Sequence, residues 1–183
     1  AAVATGDKNQ FWTILAGSRA GDIGTGDSYL MQILDPANAV YRGNAKTDET
    51  ARFGYYRIDE SSGNANDGIV EQFEPQAMAT YAENELILAE CGARTTGFAT
   101  GLTHLNNLRA WLNAGGRLNA NYSGQPYNYA AYDAADFAAG GMENTDGLAD
   151  DQALLREIIE ERFVSGFGLY MPFDDARRLR GRE

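Results

Sequence analysis

The chain has 183 residues, 44% hydrophobic and 11% aromatic, and a formal net charge of −11 from 26 acidic and 15 basic side chains. That size suits a single domain or a piece of a larger one, and the apolar content excludes wholesale disorder. The negative charge opposes duplex nucleic acid and anionic membrane surfaces. The one dense basic cluster, Arg177, Arg178, Arg180 and Arg182, is interrupted or flanked by Asp174, Asp175 and Glu183, so no nucleic-acid partner is expected.

A single cysteine, Cys91, rules out an internal disulfide. It falls within an apolar helical pattern, which predicts a buried thiol. No apolar run reaches the roughly 18 residues of a membrane span. The opening AAVATGDKNQ lacks the basic-then-apolar order of a secretory leader.

Residues 1–74 are rich in Gly, Asp, Asn and Ser, and predict irregular structure. Apolar runs at 11–16 and 29–34 are separated by the turn-prone GSRAGDIGTGDS. Residues 53–58 predict a short strand. Pro75 suits the first turn of a helix, and Met78, Ala82, Leu86, Ala89 and Ala93 mark one apolar face at spacings of three and four. After TTG at 95–97 comes a second stripe, Phe98, Leu102, Leu105, Leu108 and Leu112, ending at Gly115 and Gly116. Trp111 beside this stripe is expected in the core. Two such helices with a short link predict a hairpin over residues 75–116, close in size to a tetratricopeptide-like repeat. Residues 117–149 predict an aromatic loop. A closing helix and tail over 150–183 is expected: the helix is capped by Asp150, buries Leu155, Ile158, Ile159 and Phe163, and ends around Gly166–Gly168, with Pro172 blocking any continuation past Met171. The fold class is therefore mainly α: a helical hairpin, a further helix and long irregular loops within one domain.

Catalytic motifs are sparse. His104 is the only histidine, which excludes multi-histidine metal sites, and its polar helical neighbours Thr103, Asn106 and Asn107 suggest a solvated ring. Glu157, Glu160 and Glu161, with Asp174 and Asp175, supply carboxylates such as a glycosidase needs. At helical spacing, however, salt bridges with Arg162 or later arginines are the expected role. The loops GDIGTGDS and MENTDGLADD are acidic and glycine-bearing but miss the calcium-loop pattern. Glycines 21, 24 and 26 lack the strand and helix of a dinucleotide site. No cofactor, no metal ligand set and no catalytic residue is expected.

The aromatic loop carries the most functional signal. Tyr122, Tyr127, Tyr129 and Tyr132 alternate with Asn119, Asn121, Gln125 and Asn128. Sugars offer flat C–H faces that stack on rings and hydroxyls that match amide donors and acceptors. Tyr122, Tyr127, Asn128, Tyr129 and Tyr132 are the candidate ligand-binding residues.

Three stretches resemble the C-terminal part of SusD/RagB-family proteins. Residues 81–112 are similar to a family helix with Leu-Ile and Ala-Glu-Ala elements followed by Leu-Asn-x-x-Arg, matched by Glu85, Leu86, Ala89, Glu90, Leu105, Asn106 and Arg109. Cys91 stands where the family usually has alanine. Residues 154–168 are similar to the closing helix with I-x-x-E-R, through Ile158, Glu161 and Arg162, and FDDARRLR at 173–180 is similar to a terminal D-x-x-R. The loop-rich residues 28–56 also look like the segment preceding these helices in one branch of the family.

The resemblance implies a non-catalytic binder of glycans or other nutrients that delivers them to a SusC-type TonB-dependent transporter. It implies an outer-membrane, surface-exposed and lipid-anchored full-length protein of which this chain is the C-terminal part. It further implies scaffold roles for the matched residues, with Arg109 and Arg162 paired to helix glutamates. A helical module that binds a partner peptide through exposed positions such as His104 and Asn107 is the alternative.

Overall fold

The computed structural model describes residues 8–17 and 19–180; Arg182 and Glu183 of the basic cluster lie outside them. The described residues are mainly helical, with a two-stranded ladder of two residues per strand. Their contacts gather into two compact units. One contains the described residues up to Gln76 together with Gly115–Tyr129, and the other contains Ala77–Ala114 and the described residues from Ala130 onward. The aromatic loop expected over 117–149 thus divides between them.

In the first unit, α1 (Gln10–Leu15) starts at Asn9, whose Oδ1 accepts from the backbone N–H of Phe11 and Trp12. α2 (Tyr29–Leu34) starts at Ser28 and buries Leu30, Met31, Ile33 and Leu34. Residues 53–58 form no strand. They overlap α3 (Thr50–Tyr56), which buries Ala51, Arg52, Tyr55 and Tyr56. The deciding contacts are local: Asp48 Oδ1 accepts from the Thr50 N–H, and buried Glu49 pairs with Arg52 three residues on, a spacing that a helical turn brings together. Strand β1 (Thr47–Asp48) pairs antiparallel with β2 (Asn128–Tyr129), Thr47 opposite Tyr129.

The second unit is built on α4 (Tyr81–Thr95), α5 (Phe98–Asn113), α6 (Ala134–Phe137), α7 (Asp150–Ser165) and α8 (Met171–Leu179). α4 packs against α5 and α7, and α7 also touches α5, α6 and α8. Gly97 joins the hairpin at φ 119°, a conformation that strains any residue with a Cβ. The two helices approach so closely that a Cβ on Gly101 would lie 2.7 Å from that of Ala93.

Several sequence expectations are corrected in this unit. α4 begins at Tyr81 with Thr80 as its cap rather than at Pro75, leaving Met78 92% exposed. Cys91 is exposed, because Ala82, Leu86 and Ala89 define the inner face and position 91 points away from it. Trp111 is half-buried, its ring tilted against Tyr81. Asp150 lies in the first turn of α7 and Ala149 holds the cap position. The buried face of α7 is Ala153, Leu154, Glu157, Ile158, Glu161, Arg162 and Val164, while Phe163 is exposed. Pro172 begins α8 instead of ending the chain's helices, since a proline is tolerated in a first turn.

Candidate functional site

The ladder decides how the loop tyrosines point. Side chains alternate across a strand, so Tyr129 turns inward, 2% exposed, while Asn128 beside it stays half-buried at the surface. The Tyr129 hydroxyl donates to Glu49 Oε2 at 2.7 Å. Glu49, fully buried, also accepts from Arg42 Nη1 at 2.8 Å and from Arg52 Nε at 2.7 Å and Nη2 at 2.8 Å. Two residues before Tyr129 and on its face, Tyr127 stacks on it with ring centroids 6.4 Å apart and planes at 28°. Tyr127 is half-buried, and its hydroxyl makes no hydrogen bond to a described residue. The Asn128 amide donates to the Ala45 carbonyl at 3.5 Å, leaving its carbonyl oxygen as an acceptor.

Tyr122 is half-buried, its ring lying over Gly54 and its hydroxyl donating to Asp67 Oδ1 at 2.5 Å. Burial, and then the Asp67 carboxylate that accepts this bond, push the Tyr122 hydroxyl well above its ordinary range. Asn119 and Asn121 both donate to the Asp67 carbonyl, at 2.8 and 2.9 Å, so these amides fasten the loop. Asp67 had given no sign in the sequence, because its partners lie more than fifty positions away.

Tyr132 belongs to the other unit. It is 4% exposed, stacked under the Arg109 guanidinium at 3.6 Å, with its hydroxyl donating to Glu143 Oε1 at 2.5 Å. A buried ring offers a sugar no face, so Tyr129 and Tyr132 are corrected from ligand contacts to structural side chains. Tyr122, Tyr127 and Asn128 remain together in the first unit, with free polar capacity at Tyr127 and Asn128.

His104, Glu157 and Glu161 of the second unit are engaged in packing, whereas Asp174 is exposed. His104 Nδ1 lies 2.9 Å from Glu85 Oε2, which also accepts from Asn107, so neither polar side chain is simply solvated. Glu157 and Glu161 are buried on α7, and Ser165 Oγ donates to Glu161 Oε1 at 2.5 Å.

Four of the arginines and acids matched above form one network. Arg162 donates twice to Asp175, at 2.7 and 2.9 Å, and lies 3.6 Å from Glu90. Arg178 donates twice to Glu90, at 2.5 and 2.8 Å, and once to Asp175 at 2.9 Å. Burial alone would raise the Glu90 and Asp175 carboxyls, but the surrounding guanidiniums outweigh it and hold both below their ordinary values. Arg109 donates from Nε to the Ala130 carbonyl at 2.8 Å.

Among the described residues, no group of three or more His, Cys, Asp or Glu side chains is placed to hold a metal ion. No described helix is long and apolar enough to cross a membrane. No family model, curated protein or solved structure matches the chain.

Proposed function

We propose that the chain is a non-catalytic glycan-binding protein, acting at the outer-membrane surface in the lipid-anchored setting of the SusD/RagB proteins it resembles. There it would deliver nutrient glycans to a SusC-type TonB-dependent transporter. One observation carries the binding itself: Tyr127 is only half-buried and keeps a hydroxyl without a partner among the described residues. A ring with an uncommitted hydroxyl matches the apolar face and the hydroxyls of a pyranose. The network of Glu90, Arg162, Asp175 and Arg178 supports the family reading, since residues from all three resembling stretches meet in it.

Isothermal titration of the chain against neutral plant and host oligosaccharides tests this. Heat of binding that is lost in Tyr127→Ala supports the reading. Wild-type protein silent against the whole panel at millimolar sugar would sink it.

A helical module binding a partner peptide is the second reading. What favours it is α4, where Tyr81, Ile87 and Leu88 are 45%, 45% and 39% exposed. On that reading, Leu88→Asp abolishes capture of a partner while leaving glycan titrations unchanged.

A further inference from the structure

The first unit also contains an open cleft between α2 and α3, with a volume of about 450 Å³, within the range of small-ligand sites (roughly 300–1,000 Å³). Met31, Phe53, Asp27, Gln32, Arg57 and Glu60 are among its lining. We propose that this cleft holds an uncharged sugar unit of the glycan, a proposal that rests on the glycan reading above and adds a second contact to it.

The walls provide both halves of saccharide recognition. Phe53 is half-buried and, beside buried Met31, presents its ring surface to the C–H face of a pyranose. The polar groups face the same space and are largely uncommitted. The carboxylates of Asp27 and Glu60 and the guanidinium of Arg57 make no hydrogen bond or ion pair to a described residue. Gln32 donates its amide to the Asp27 carbonyl at 2.8 Å, which leaves its side-chain oxygen as an acceptor. A sugar hydroxyl both donates and accepts. Vicinal hydroxyls can therefore donate to a carboxylate while accepting from the guanidinium, replacing the water that these charges otherwise hold.

The charge balance narrows the class. Four carboxylates line the cleft against the single guanidinium of Arg57, so uronate and sulfated sugars are repelled. Its position also fits a longer ligand. Gly54 lies between the cleft residues Phe53 and Arg57, and the Tyr122 ring covers it, which sets the aromatic loop beside the same helix.

The test is titration of the chain and of Phe53→Ala, Arg57→Gln, Asp27→Asn and Tyr127→Ala with neutral maltoheptaose, cellohexaose and xylohexaose, and with an oligogalacturonate. The expected result is that at least one neutral oligosaccharide binds, that the three cleft variants each weaken it about tenfold or more, and that oligogalacturonate does not bind. Asp27 and Arg57 are exposed, so Asp27→Asn and Arg57→Gln decide the matter should Phe53→Ala fail to fold. Cleft variants that bind like wild type while Tyr127→Ala loses binding overturn the cleft and leave the glycan reading standing. Preference for oligogalacturonate overturns the uncharged-sugar assignment. A wild type that binds none of the four overturns both.

Discussion

Arg162 on α7 and Asp175 on α8 face each other through two parallel hydrogen bonds, Nε to Oδ2 at 2.7 Å and Nη2 to Oδ1 at 2.9 Å, with both residues buried. Removing one member of a buried pair strands the other charge, which costs about 3–5 kcal/mol. Asp175→Ala is expected to lower the unfolding free energy, measured by urea denaturation, by that order. Asp175→Asn, which keeps the volume and one acceptor, should cost less. Equal stability of wild type and Asp175→Ala would show that the pair does not hold α8.

The same network sets an acid limit. Glu90 and Asp175 are held below their ordinary carboxylate values in the folded chain. Their contribution is therefore complete above the unfolded values, about 4, and is lost as pH falls through the lower folded values. The melting temperature should be flat in this respect near neutrality and fall as pH drops below about 4. The fall should be shallower in Glu90→Gln. A melting temperature that rises on acidification would contradict the sign.

Tyr129→Phe tests the reassignment of that ring from ligand to scaffold. It deletes one hydrogen bond to a buried carboxylate, about 1.5–3 kcal/mol, while Arg42 and Arg52 still satisfy Glu49. Chemical denaturation should register the loss and glycan titration should not. Unchanged stability with lost binding would return Tyr129 to the binding surface.

Gly54→Ala reverses the usual rule. Inside a helix, alanine ordinarily stabilises relative to glycine by about 0.5–1 kcal/mol. Here a Cβ would stand 2.4 Å from Tyr122 Cε1, within ring contact. The Tyr122 ring would have to move and give up its bond to Asp67. A destabilisation of about 1–3 kcal/mol is expected, measured by urea unfolding, and a stabilised variant would contradict the packing.

The long helices were legible because their apolar residues recur at helical spacing: Ala82, Leu86 and Ala89 on α4, and Leu105, Leu108 and Leu112 on α5, are all buried. α7 was found but its buried face was misjudged. That face contains Glu157, Glu161 and Arg162, and whether an arginine can be buried depends on an Asp175 that hydropathy does not associate with it. α3 read as a strand because Phe53, Tyr55 and Tyr56 favour one, whereas the Glu49–Arg52 pair and the Asp48 turn settle the helix. The inward tyrosines escaped for a related reason. A tyrosine spacing of two residues reveals a shared face, but which face is buried depends on Glu49, 80 positions from Tyr129.

The central claim is that the half-buried Tyr127, with Asn128 next to it in the chain, takes part in binding a glycan. Calorimetric titration of Tyr127→Ala and Tyr127→Phe beside wild type, against the tightest neutral oligosaccharide of the panel, tests it most directly. The account predicts that Tyr127→Ala weakens binding by about tenfold or more, and that Tyr127→Phe, which keeps the ring and loses only the free hydroxyl, retains most of it. Wild-type affinity in Tyr127→Ala, with the fold intact by circular dichroism, would contradict it.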